Sequence, residues 1–105
     1  MTTPAALDMF FAPESVAIIG ASTNPGKVGY GIIHNMLSFG YAGEVYPVNP
    51  HARELLGRRC YPSVLDIPGE VALAVIVVPA AAVVEVLLQC AAKGVRGAVI
   101  ISASC

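Results

Sequence analysis

The sequence predicts a doubly wound α/β domain built on a parallel sheet of about five strands. Two continuous apolar runs, Ser15–Ile19 and 73–78, show no polar alternation, which is typical of strands covered on both faces. Between and after these runs, residues 27–39 and 80–93 carry apolar side chains at helical spacing. Strands that alternate with helices favour parallel pairing through right-handed crossovers, so we expect the sheet order 3-2-1-4-5.

Local signals place the individual elements. In the first helix, Val28, Ile32 and Met36 repeat every four residues, and Gly40 stands where a carboxyl-terminal cap belongs. Gly94 ends the second helix in the same way. The other boundaries expected are a start at residue 27 or 28 for the first helix, a second strand at Glu44–Val48, a short helical turn at 51–56, a third strand at 59–61 and a fifth strand at 97–102.

The composition limits the partners. The 105 residues suffice for one domain with a single core, and we expect residues 1–105 to be one domain of a longer protein. Charged residues make up only 12%, against roughly 25% in ordinary soluble domains. This predicts either a sheet buried on both faces or a surface that rests on a further domain or a second subunit. The net charge is −1 and the largest basic cluster is the pair Arg58 and Arg59, so a nucleic-acid-binding surface is not predicted.

Neither a membrane anchor nor a secretory leader is predicted. The most apolar stretch, 71–84, has 14 residues, fewer than the roughly 20 that a spanning helix needs. The first residues lack the basic segment and long apolar run of a signal peptide. Cys60, Cys90 and Cys105 have neither disulfide nor zinc-ligand spacing. We therefore expect reduced, mostly buried thiols in a cytoplasmic protein without a metal site.

The loop between the first strand and the first helix carries the chemistry. Gly20 closes the strand, and a tight glycine turn lets backbone amides and the positive end of a helix approach a phosphate closely. Lys27 lies at the helix start, where its charge opposes the helix dipole unless an anion is bound there. Ser22 and Thr23 can add hydroxyl donors. The pattern predicts a phosphate-binding loop.

Two common phosphate-binding motifs do not match this loop. A Walker A loop needs four residues between its glycines and a hydroxyl after the lysine, whereas five residues separate Gly20 from Gly26 and Val28 follows Lys27. A dinucleotide fingerprint needs a second glycine two positions after the first and a carboxylate after the second strand. Ser22 occupies the glycine position and Asn49 follows the strand, so NAD binding is disfavoured.

A third interpretation comes from resemblance. Motifs along nearly the whole chain resemble the CoA-binding domain of NDP-forming acyl-CoA synthetases, a Rossmann-like domain similar to the amino-terminal part of the succinyl-CoA synthetase alpha subunit. The matching segments, in chain order, are 13–22 (PESVAIIGAS), 26–30 (GKVGY), 45–50 (VYPVNP), 57–63 (GRRCYPS), 74–80 (AVIVVPA), 93–95 (KGV) and 100–103 (IISA).

The resemblance implies that coenzyme A lies across the carboxyl ends of the strands, the edge where open α/β sheets bind ligands. The first loop would hold the CoA phosphates, the Asn-Pro pair would border the nucleotide, and the last strand would face the pantetheine. The residues so implied are Gly20, Ala21, Ser22, Thr23, Gly26, Lys27, Val28, Asn49, Pro50, His51, Val78, Pro79, Ala80, Ile101, Ser102 and Ala103.

The chain departs from the family pattern in three places. His51 stands where the family often has a lysine after the Asn-Pro pair, with Arg53 two residues further on. Ala72 replaces an aspartate that is common before the fourth strand. The ending reads Ser104-Cys105 instead of Gly-Phe, so the resemblance says least about the thiol end of the site.

The function expected is therefore the binding of CoA or acyl-CoA for an ATP-dependent acid–thiol ligase. No nucleophile or acid–base pair is visible, so the chain is not expected to catalyse a reaction by itself. Two alternatives remain: a CoA-sensing module, either attached to a protein lysine acetyltransferase or free-standing, and an NAD-binding module. The acyl substrate, the choice between ATP and GTP and the oligomeric state are not predicted.

Overall fold

The fold is a parallel sheet with one helix on each face. The computed structural model describes residues 14–101. Four strands form the sheet in the order β2-β1-β5-β6, and all three neighbouring pairs are parallel. In chain order the elements are β1 Ser15–Ile19, α1 Val28–Ser38, β2 Glu44–Val48, β3 Glu54–Leu55, β4 Arg58–Arg59, a 3₁₀ turn Val64–Asp66, β5 Leu73–Ile76, a 3₁₀ turn Ala80–Ala82, α2 Val83–Lys93 and β6 Gly97–Ile100.

The central strand β1 is buried along its whole length, as its uninterrupted apolar run predicts. Its side chains alternate between two cores. Val16 and Ile18 pack with Ile33 of α1 on one face of the sheet. Ala17 and Ile19 belong to the core on the other face, which includes Cys90 of α2. Both helices are therefore held by the same strand, and the doubly wound α/β class is confirmed.

The expectations for residues 51–61 were wrong in detail. Residues 54–59 form an antiparallel hairpin, β3–β4, instead of a helical turn followed by a third sheet strand. Leu56 and Gly57 form its two-residue loop with φ angles of +49° and +78°, the backbone of a type I′ hairpin turn. Because the strong Asn-Gly signal of such turns is absent, local propensity did not reveal the hairpin.

The chain still passes the place expected for the third strand. Tyr61 forms a single parallel bridge with Val48, on the outer edge of β2. Its amide donates to the Pro47 carbonyl at 2.9 Å, and its carbonyl accepts from the Asn49 amide at 2.9 Å. The four strands of the sheet keep the expected relative order. The strand expected at 59–61 is reduced to the single bridge of Tyr61.

Other boundaries shift by a few residues. The long second helix expected at 80–93 begins as the 3₁₀ turn Ala80–Ala82 and becomes α-helical at Val83. The fourth sheet strand ends at Ile76 instead of residue 78, and β6 ends at Ile100 instead of residue 102. Within residues 14–101, no helix is long and apolar enough to cross a membrane.

The two described thiols give the fold a pH dependence. Burial raises the pKa of Cys90 above 9.0, and burial together with the nearby Glu54 charge raises the pKa of Cys60 above the same value. Since the folded state then holds these protons more tightly than the unfolded chain, the free energy of unfolding is at its full value below pH 9.0 and decreases as pH rises through the folded-state pKa values. Urea denaturation in the range of about pH 7 to 10.5 measures the decrease.

The tyrosines act in the same direction at higher pH. Burial, followed by the charges of Glu14 and Glu44, raises the pKa of Tyr41 above 10.0. A Cys90→Ala variant should therefore lose the contribution of Cys90 to the decrease that begins near pH 9.0, and keep the contribution of Cys60 and the later part from Tyr41. An unfolding free energy that stays constant up to about pH 10.5 would contradict this prediction.

Candidate functional site

Two glycines allow the start of α1 to pack closely against the end of β1. Gly20 has a φ of +98°, and a Cβ on it would lie 1.9 Å from the Val77 carbonyl oxygen. A Cβ on Gly29 would lie 2.1 Å from the Gly20 carbonyl oxygen. Only glycine is compatible with backbones this close. The first turn of α1 therefore lies directly at the carboxyl edge of the sheet, between the ends of β1 and β5.

Most backbone amides of the loop are already bonded within the chain. Gly20 and Ala21 both donate to the Val48 carbonyl at 3.2 Å. The Asn24 amide donates to the Ser22 hydroxyl at 3.0 Å, and the Gly26 amide donates to Asn24 Oδ1 at 2.8 Å. These bonds define the loop shape. The glycine at the end of β1 therefore allows close approach but supplies no free donor.

The free donors lie instead at the amino end of α1. Lys27 is the N-cap residue, and its side chain has no acceptor atom with which to cap the helix. The amides of Val28, Gly29 and Tyr30 have no acceptor among the described residues, and the first turn contains no acidic side chain. Helix amides left open in this way attract anions. With Lys27 as the N-cap residue, this helix end is the candidate anion site.

Asn49 ties the loop after β1 to the loop after β2. Its Nδ2 donates to the Ala21 carbonyl at 2.8 Å, and its Oδ1 accepts from the His51 amide at 2.7 Å. Both polar atoms of this half-buried side chain are thus engaged within the chain. Asn49 therefore positions the two loops that form the site.

Replacing Asn49 with alanine is expected to reduce the free energy of ligand binding by more than it reduces the free energy of unfolding. Both loop contacts disappear, while the strands and the two cores stay intact, so the free energy of unfolding should fall by about 1–2 kcal/mol. Backbone amide NMR shifts should change at Ala21 and His51. Asn49→Asp is the matched control, because it keeps the acceptor for His51 and loses only the donor to Ala21. Equal shift changes at His51 in both variants would contradict the bridging role.

A cleft of about 270 Å³ opens at this edge of the sheet. Its floor is the carboxyl end of β1 and β2, and α2 forms one wall. Apolar surface dominates, with polar groups at Asn49, Ser63 and Gln89. The full lining is Ile19, Gly20, Ala21, Val48, Asn49, Pro50, Pro62, Ser63, Val78, Val86 and Gln89.

The structure brings together part of the residue set expected from the sequence. The cleft contains Gly20, Ala21, Asn49, Pro50 and Val78. The loop residues and the start of α1 lie on the exposed rim, and His51 lines an adjoining depression. Pro79 and Ala80 are exposed after β5, and Ile101 ends the described chain beside β5, donating to the Ile76 carbonyl at 2.9 Å. Ser102 and Ala103 lie outside the described residues.

Six cleft residues were not expected as site residues: Ile19, Val48, Pro62, Ser63, Val86 and Gln89. The Ser63 hydroxyl donates to Gln89 Oε1 at 3.3 Å, which joins the segment after Tyr61 to α2. Two signals could have found these residues. Pro62 and Ser63 belong to a motif of the family resemblance, and Gln89 is one of the few polar side chains of α2.

The site contains no visible catalytic machinery within residues 14–101. No group of three or more histidine, cysteine or acidic side chains could hold a metal ion there. The thiols of Cys60 and Cys90 are buried with raised pKa values, so they are poor nucleophiles at neutral pH. The geometry combines open amides at the start of α1 with a mainly apolar cleft.

Comparison with known proteins decides the family. The model of the CoA-binding domain family matches residues 14–104. The chain belongs to the CoA-binding domain family. The matched range includes the loop after β1, the Asn49-Pro50 pair and the other residues that line the cleft.

The chain is similar to parts of longer ligases. It is 52% identical over 101 residues to ADP-forming acetate–CoA ligase II of Archaeoglobus fulgidus, covering 96% of this chain and 15% of that protein. It is 52% identical over 100 residues to the alpha subunit of ADP-forming acetate–CoA ligase I of Pyrococcus furiosus, covering 91% of this chain and 22% of the subunit.

A solved structure has the same fold. The apo form of dinucleotide-forming acetyl-coenzyme A synthetase 1 of Candidatus Korarchaeum cryptofilum superposes with a TM-score of 0.90 at 45% identity, covering 94% of this chain and 22% of that chain. This CoA-binding domain therefore spans less than a quarter of the length of the relatives it matches.

Proposed function

We propose that this domain binds coenzyme A across the carboxyl edge of its sheet on behalf of an ADP-forming acyl-CoA synthetase. The observation that carries the proposal is the uncapped amino end of α1, where Lys27 is the N-cap residue and the amides of Val28, Gly29 and Tyr30 have no acceptor among the described residues. A pyrophosphate is the group such a site favours, because it offers several anionic oxygens to a helix end.

The cleft suits the adenine of CoA. It lies between the loops after β1, β2 and β5, and Val48, Val78 and Val86 supply apolar surface for a flat ring. Asn49, Ser63 and Gln89 add polar groups at its margin. With adenine here and the pyrophosphate at α1, the pantetheine arm is expected to run toward the end of β6, where Ile101 lies.

The surface supports a role inside a larger ligase. On α2, the side chains of Val84 and Leu88 are 68% and 66% exposed, and Val99 and Ile100 of β6 are also exposed. The polar side chains Gln89 and Lys93 instead contact the segment 63–67. An apolar outer face of this kind is typical of a surface covered by another domain or subunit. Phosphorylation of the acyl group and use of ATP would then belong to other parts of a cytoplasmic enzyme.

Isothermal titration of the 105-residue chain with CoA and with NAD under identical conditions tests the proposal. We expect saturable CoA binding at one site per chain and no comparable heat with NAD. The amide NMR signals of Ser22 to Tyr30 should shift on addition of CoA. Tight NAD binding without a CoA signal would overturn the proposed function, as would the absence of any shift around the start of α1.

A further inference from the structure

A basic depression adjoins the cleft beyond the end of β2. It has a volume of about 560 Å³, and Pro50 and Pro62 line both this depression and the cleft, so the two spaces share one edge. Its lining comprises Pro50, His51, Ala52, Arg53, Arg59, Cys60 and Pro62. Two of the six lysine and arginine residues of the chain therefore line one small space, and no acidic side chain lines it.

The β3–β4 hairpin brings the two arginines together. Arg53 lies just before β3, and its carbonyl accepts a hydrogen bond of 2.8 Å from the Cys60 amide. Arg59 is in β4 and is the cross-strand partner of Glu54. The sequence separates the arginines by five residues, but the tight turn at Leu56 and Gly57 returns the chain so that both side chains reach the same depression.

Neither arginine forms an ion pair within residues 14–101. The ion pair in this part of the chain joins Arg96 and Glu70, far from the hairpin in sequence. The guanidinium of Arg59 lies 5.3 Å from the centre of the Tyr61 ring instead of forming an ion pair with Glu54. Stacking on an aromatic face holds the guanidinium in place and leaves its N–H groups for an acceptor. Arginine forks of this kind bind phosphate oxygens in pairs.

We infer that this depression binds the 3′-phosphate of the CoA ribose, with Arg53 and Arg59 as its ligands, and that it selects CoA over 3′-dephospho-CoA. The inference rests on the proposed function. Adenine in the cleft places the attached ribose near the shared Pro50 and Pro62 edge, and a phosphomonoester on that ribose enters the basic space. His51 lines the same space beside the two arginines.

Calorimetric titration with CoA and with 3′-dephospho-CoA tests the inference on the intact chain. We expect dephospho-CoA to bind about tenfold or more weakly, since charge-assisted phosphate contacts are lost. Arg53→Gln and Arg59→Gln should each weaken CoA binding about fivefold or more and leave dephospho-CoA binding nearly unchanged. Adenosine 3′,5′-bisphosphate should likewise bind more tightly than AMP to the wild-type chain, and this preference should disappear in the variants.

Arg58→Gln is the matched control, because Arg58 is the neighbour of Arg59 in β4 and lines neither space. It should leave the preference for CoA intact. Equal affinities of the wild-type chain for CoA and dephospho-CoA would overturn the inference while the proposed function stands. Binding of neither compound would overturn both. If Arg58→Gln loses the preference for CoA over dephospho-CoA as fully as Arg53→Gln and Arg59→Gln do, then the preference comes from general surface charge. That result would also overturn the inference.

Discussion

Gly20→Ala should lower the melting temperature, so that a large fraction of the variant molecules is unfolded at temperatures where the wild-type chain is fully folded. Alanine at a φ of +98° is strained, and its Cβ would lie 1.9 Å from the Val77 carbonyl oxygen, which belongs to backbone and cannot rotate away. Backbone strain and steric overlap each cost about 1–3 kcal/mol, so we expect a loss of about 3 kcal/mol or more in the free energy of unfolding. Thermal and urea denaturation followed by circular dichroism measure it.

Two other glycines separate the causes of this loss. Gly40 has a φ of +75° with no atom within 4 Å of its Cβ position, so Gly40→Ala measures conformational strain alone. Gly29 has no positive φ, yet its Cβ would meet the Gly20 carbonyl oxygen at 2.1 Å, so Gly29→Ala measures the overlap alone. Gly20→Ala should be more destabilising than Gly40→Ala and at least as destabilising as Gly29→Ala. Equal unfolding midpoints for Gly20→Ala and Gly40→Ala would contradict the close approach of β1 and β5.

Lys27→Glu should produce the largest loss of CoA affinity of any exposed substitution in the loop. The change removes an ammonium from the open end of α1 and places a carboxylate that can cap the same amides, so it competes with the ligand for them. We expect the Kd for CoA to rise about tenfold or more, with a smaller rise for Lys27→Gln. Titration with CoA at low and at high salt measures the Kd of both variants. The difference in Kd between each variant and the wild-type chain should become smaller at high salt, because salt screens the charge.

Two controls localise this effect to the phosphates. Pantetheine carries no phosphate, so its binding should be nearly the same in wild type and Lys27→Glu. Arg96→Glu introduces the same charge change just before β6, at the opposite edge of the sheet, and should leave CoA affinity within about twofold. If Lys27→Glu weakens CoA and pantetheine equally, then Lys27 does not act on the phosphates.

The glycine after β1 and the lysine at the helix start predict phosphate binding between 20 and 27, and this stays a prediction. The structure shows which amides are open to a ligand. The amides of Gly20 and Ala21 are not among them, because both donate to the Val48 carbonyl. That bond joins residues far apart in the chain, and no local pattern reports it. The open amides are those of the first turn of α1, where a lysine N-cap provides no acceptor.

The sequence alone determined the elements whose signals are local: β1, α1, β2, β5, α2 and β6, the order of the four true strands, and the family to which the chain belongs. Continuous apolar runs, helical periodicity and glycine caps each act over a few residues, so they can be read directly. Tertiary structure alone decided the hairpin, the bridging role of Asn49 and the meeting of Arg53 with Arg59. Each depends on contacts between residues that only the folded chain brings together, and on a turn whose residues carry no strong turn signal.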